Sequence, residues 1–278
     1  MTLQALFEHL RALPPIPRVV QEVLARTSQD ANHDSELAKL IAADQIISAR
    51  LLQVANSARY QMPQQINTVS QAMQVLGLVN VRTLVVSLGL ISGFQQLAPA
   101  LQQPLWRFNL HTAALARQGA SAAGVDAELA YTLGLLQGIG QMVMQIAQPE
   151  RMLPLNALSN PLAPERPALE QQVLGYDYTE VSAELARRWQ FPPLFAQVLQ
   201  AVGRPLAADL PDDVARLVAL IQVSVWQAWA ATQGALSAEQ LASWPQAAAQ
   251  RIGLPIDAAQ HAIAPLPVLC PALHELMG

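Results

Sequence analysis

Cysteine is almost missing from this chain: Cys270 is the only one among 278 residues. One thiol excludes an internal disulfide framework and suits a reducing, cytoplasmic setting, and in a proline-rich tail it reads as inert. Charge is scarce as well, at 13% of residues, with a formal net charge of -4 and no basic run longer than Arg187-Arg188. Such a surface lacks the electrostatic footprint of a DNA or RNA binder, so nucleic acid is not expected as a partner. Long apolar runs are missing too. The stretch from Leu84 to Leu97 is interrupted by Ser87, Gly89, Ser92, Gly93, Gln95 and Gln96, and it falls short of the roughly 20 residues that cross a bilayer. A buried helix is expected there, with no membrane association. The first eleven residues carry charges within helical spacing and do not form a basic start followed by an apolar run, so no signal peptide is expected. Also absent are His-Glu-x-x-His, Cys-x-x-Cys, Gly-x-Ser-x-Gly and glycine-rich phosphate loops.

What is present is apolar residue in abundance, 52% by the hydrophobic count, ample for one large core or two joined lobes. Apolar positions recur three and four apart with no sustained alternation, which predicts an all-α protein. The prolines and glycines sit mostly where helices should begin or end. Leu13-Pro14-Pro15-Ile16-Pro17 forms a stiff entry to a helix reaching about Arg26. Asp34, with Glu36, caps a helix through about Ala42, and Asp44 opens the next. Thr68 and Gln71 have capping-box spacing, and Gly77 ends that helix. A long helix begins near Val79. Asp126 caps a central helix with Glu128 in its first turn. Pro149 and the run Asn160 to Pro164 break the chain, and a helical stretch from Pro211 covers Val214 to Trp229. Ser237 and Gln240 form another capping box, and two short helices, with Pro255 and Pro265 to Pro267 between them, finish the chain. Trp226 and Trp229, three apart, are expected in the core.

Several segments in register resemble the HDOD domain, the HD-related output domain of bacterial signalling proteins. They are Leu13 to Pro17, Leu51-Leu52-Gln53-Val54-Ala55-Asn56-Ser57-Ala58, Ala72 to Gly77, Gly134-Leu135-Leu136-Gln137-Gly138-Ile139-Gly140, Tyr176 to Val181, and Arg188-Trp189-Gln190-Phe191-Pro192. The resemblance covers about residues 12–230. It implies a multi-helical bundle like that of HD-domain phosphodiesterases, preceded by an N-terminal helical lobe. The expected division is 1–103 for that lobe, 104–230 for the HD-like lobe and 231–278 for a helical extension. Asn56 and Ser57 are expected to serve the structure at a helix end.

HD phosphohydrolases hold a metal with histidines and aspartates. By the resemblance, the ligand places here read Phe108, Gln137, Gly138, Tyr178 and Gln222. Divalent metals need imidazole, carboxylate or thiolate; a phenyl ring and a glycine offer nothing, and an amide offers one weak oxygen. No metal or other cofactor is therefore expected. His111, one turn beyond Phe108, is a candidate displaced ligand, but Asp126 and Glu128 lie roughly 15 Å from Gln137 along a helix. The leading expectation is a non-catalytic regulator acting through protein partners; the resemblance suggests receiver, kinase or cyclic-dinucleotide proteins. Two other readings stay open. Arg107, Asn109, His111, Gln137 and Gln222 could recognise an anionic, nucleotide-type signal in the former active-site cavity, or His111 with Asp126 could sustain a residual metal-dependent phosphohydrolase.

Overall fold

The computed structural model describes residues 2–9, 16–25, 34–57, 65–94, 97–207, 209–233 and 236–254. Every element among them is a helix, as the 3.6-residue periodicity predicts. Cys270, the Leu13-Pro14-Pro15 entry, Ala58 and the breaks at Pro255 and Pro265 to Pro267 lie outside the described residues, as does the side chain of Asp34. The chain divides into two compact units, Met1–Leu13 with Gln96–Pro271 and Pro14–Gln95 with Ala272–Gly278.

The larger unit begins with α1 (Leu3–His9). The smaller unit holds α2 (Arg18–Ala25), α3 (Asp34–Ala43), α4 (Gln45–Ala55), α5 (Val69–Leu76) and α6 (Leu78–Gly93). Local chemistry sets its boundaries. The Asp44 carboxylate accepts from the N–H groups of Ile46 and Ile47 at the start of α4. Thr68 and Gln71 close a reciprocal capping box on α5. Gly77, at φ 76°, ends α5 in a conformation that disfavours a side chain, and α6 leaves at a bend of 116°. Asn56, at the end of α4, donates to the carbonyls of Leu52 (2.9 Å) and Ile66 (2.7 Å) and accepts from the Ile66 N–H (2.7 Å). That amide works as a clamp, the structural use expected of it. Most of α6 from Val81 to Leu90 is buried, and no single described helix is long and apolar enough to cross a membrane.

The larger unit continues with α7 (Pro99–Ala123), α8 (Ala127–Leu136), α9 (Ile139–Ala147), α10 (Pro149–Leu158), α11 (Arg166–Leu174), α12 (Tyr178–Arg188), α13 (Pro193–Val202), α14 (Asp212–Ala230), α15 (Ala238–Ala242) and α16 (Gln246–Arg251). Helix α7 packs on α8 and α14, and α12 packs on α9 and α13. Asp126 caps α8 through the Leu129 N–H, and Ser237 caps α15 in its box with Gln240. Glu128 pairs with Arg117 at 3.0 Å. Trp226 and Trp229 are buried with ring centroids 6.0 Å apart, and Trp244 stacks edge-on to Trp226 at 4.9 Å. The segment through α16 therefore packs onto α14.

One buried ion pair ties four of these helices together. Arg166 and Glu170 have no solvent exposure and meet at 2.7 Å. The guanidinium also donates to the carbonyls of Leu155 and Ser159 and to Asn156 on and after α10. The carboxylate also accepts from Gln141 on α9 and from the Tyr178 N–H at the start of α12. Burial pushes the Glu170 carboxyl above its usual range, while Arg166 and the other donors pull it back down. Removing one partner leaves the other charge stranded. Glu170→Ala is expected to lower stability in urea unfolding by about 3–5 kcal/mol, and Arg166→Met/Glu170→Met by less than the single change.

Candidate functional site at the junction of α8 and α9

The segment Tyr131 to Met142 is shared between two helices. Helix α8 stops at Leu136, Gln137 keeps helical angles, and Gly138 (φ -97°, ψ 4°) turns the chain into α9. A continuous helix would bond the Gln137 carbonyl to the Gln141 N–H, but that N–H goes to the Gly138 carbonyl at 3.2 Å. The freed Gln137 carbonyl accepts from the Ser182 hydroxyl on α12 at 2.8 Å. The same hydroxyl lies 2.9 Å from the Tyr178 carbonyl and accepts from the Gly140 N–H at 2.9 Å. Its single proton is shared between two carbonyls.

Backbone contact requires glycine at position 140, and at position 138 an added side chain would have to displace Asn109. A Cβ on Gly140 would fall 1.9 Å from the backbone oxygen of Tyr178, and one on Gly138 would fall 2.1 Å from Asn109 Oδ1. On the other face, Gly134 lets α8 meet α7, where a Cβ would sit 2.8 Å from Ala113 Cα. Asn109 on α7 thus occupies the space into which a side chain at position 138 would project. Gln137 Nε2 donates to Asn109 Oδ1 at 3.1 Å, and both residues are buried. Asn109 Nδ2, Gln137 Oε1 and Gln141 Oε1 are buried without a partner among the described residues. Each such atom carries a desolvation cost.

The other sequence candidates are spread out. Phe108 and His111 are buried on α7, whereas Arg107 is exposed to solvent. Gln222 on α14 donates to the carbonyls of Val202 (3.1 Å) and Arg204 (2.6 Å). Tyr178 opens α12 and, with Gln222, lines a separate cavity of about 450 Å³. Burial, with Glu170 and Asp177 nearby, pushes the Tyr178 phenol far above its usual range. Of the five candidates, Asn109 and Gln137 are brought together by a hydrogen bond.

The HD metal does not fit these residues. The places that the resemblance assigns to its ligands hold a ring, an amide, a glycine, a phenol and a second amide, and Asn109 lies where a side chain at position 138 would project. Among the described residues no three His, Cys, Asp or Glu side chains gather as a metal ion would require.

Two residues that organise the junction escape sequence reasoning, Ser182 and Glu170. Ser182 falls on the apolar face of α12 with Tyr178, Val181 and Leu185, and Glu170 stands four residues after Arg166. A polar residue on a buried stripe was the available signal for each.

Comparison with known proteins decides the family. The HDOD domain model matches residues 13–205. The chain belongs to the HDOD family. The match stops short of the expected reach to about residue 230 and ends before α14. Among solved structures, an HDOD domain protein of Geobacter sulfurreducens superposes with a TM-score of 0.72 at 18% identity, covering 98% of this chain and 92% of that one. A provisionally named phosphohydrolase of Shewanella amazonensis gives 0.68 at 21% identity, with 98% and 96% covered. At such identities the likeness establishes the all-helical fold. An uncharacterized protein of Treponema pallidum is 28% identical over 182 residues, 65% of this chain and 35% of its own length. The chain thus spans about a third of that relative.

The contact at Gly138 makes a coupled prediction. Gly138→Ala is expected to cost about 1–3 kcal/mol in denaturant unfolding through overpacking. The same change in an Asn109→Ala background should cost clearly less, giving a non-additive double-mutant cycle. Additive costs would place the strain elsewhere.

Proposed function

We propose that this HDOD chain is a non-catalytic signal-transduction module that works by binding other proteins in the cytoplasm. The observation that carries the reading is the Asn109–Gln137 amide pair seated against Gly138, where an HD hydrolase needs an acidic metal ligand. Hydrolysis of a phosphoester at such a centre depends on a metal to activate water and to stabilise the leaving oxygen. Amides that hydrogen-bond each other do neither. Family membership supports a regulatory role, and receiver, kinase or cyclic-dinucleotide proteins are the partner classes to test first.

A residual hydrolase built on His111 and Asp126 has little to support it, because the Asp126 carboxylate is engaged in capping α8. An anion site built from Arg107, Asn109, His111, Gln137 and Gln222 is also poorly supported, since Arg107 is solvent-exposed and Gln222 bonds loop carbonyls.

The reading predicts that purified protein supplied with manganese, iron or zinc hydrolyses bis(p-nitrophenyl) phosphate no faster than buffer with the same metal. Turnover that co-purifies with the protein and disappears in His111→Ala would overturn it.

A further inference from the structure

The cavity beside Tyr178 shares that residue with the junction, whose other residues, Asn109, Gln137, Gly138, Gly140 and Ser182, do not line it. It is formed by the loop after α13, the middle of α14 and the start of α16, and its walls include Tyr178, Trp226 and four prolines, 164, 167, 205 and 245. At about 450 Å³ it falls within the range of small-molecule sites, roughly 300–1,000 Å³.

Its polar groups are few and specific. Tyr178 is only 6% exposed, and its hydroxyl has no hydrogen-bond partner among the described residues. The ring is buried while the hydroxyl oxygen stays accessible from the cavity that Tyr178 lines. With its ionisation strongly suppressed by burial, it stays a donor at any physiological pH. Gln222 spends its N–H groups on the carbonyls of Val202 and Arg204, which leaves Oε1 as an acceptor. The Trp226 indole N–H is taken by Ser243 at 2.9 Å, so the ring contributes an apolar surface. Arg204 is the one charged residue in the lining, and Glu180 pairs with it. The site therefore has no unbalanced charge with which to hold a phosphate.

We infer that this cavity binds an uncharged, flat heterocycle of nucleobase or nucleoside type, with Tyr178 donating to the ligand, Gln222 accepting from it, and Trp226 and the prolines covering its apolar faces. This goes beyond the non-catalytic reading and stands or falls separately, because it needs neither a metal nor a protein partner.

The test is a titration of adenosine, guanosine and nicotinamide into the full chain in the presence of chelator, followed by ligand-observed NMR and thermal shift. At least one is expected to bind with Kd below about 1 mM. Tyr178→Phe should weaken that binding by about five- to tenfold. Ala247→Trp, at an exposed position on the rim, should block it. The melting temperature of each unliganded variant reports whether it is folded. Failure of all three compounds to bind at about 5 mM, or binding that both variants leave unchanged, would overturn the inference.

Discussion

The Ser182 hydroxyl decides the shape of the junction between α8 and α9. It takes the carbonyl that a continuous helix would have bonded internally, and it receives the Gly140 N–H from the first turn of the next helix. These bonds draw the backbone of α9 against α12 so closely that only glycine is tolerated at position 140. Once the chain breaks there, Gly138 faces α7 and Asn109 fills the place of the side chain it lacks. The rest of the candidate site follows from that contact.

A metal centre and an amide pair solve the same mechanical problem in different ways. In an HD hydrolase a cation cross-links side chains from several helices, at the cost of gathering anionic and imidazole ligands in one place. In this chain the Gln137–Asn109 hydrogen bond joins α7 to the α8–α9 junction with neutral groups, and the Arg166–Glu170 pair ties α9, α10, α11 and α12 together nearby. Both links are buried, so breaking either exposes polar groups with no water to receive them. These two buried links hold the larger unit's helices together at the junction.

What the sequence made legible is what local chemistry determines. The caps at Asp44, Thr68, Asp126 and Ser237 and the stop at Gly77 lie where residue type and spacing place them, because each side chain bonds backbone within its own turn. The break at Gln137 and Gly138 was not legible, because Ser182 acts on it from 45 residues away in the chain. Arg107 shows a second limit. It neighbours Phe108 in sequence, but one residue is about 100° around a helix, enough to move a side chain from core to solvent. Gln222 likewise belongs to another pocket, because its partners are carbonyls of a loop whose path no local rule predicts.

The central claim is that hydrogen-bonded amides occupy the place of the HD metal site. Elemental analysis of protein purified without chelator and without a histidine tag tests it most directly. The account predicts iron, manganese and zinc each far below one equivalent per chain. Stoichiometric metal that is lost in His111→Ala would contradict it and would mean that the ligands lie elsewhere.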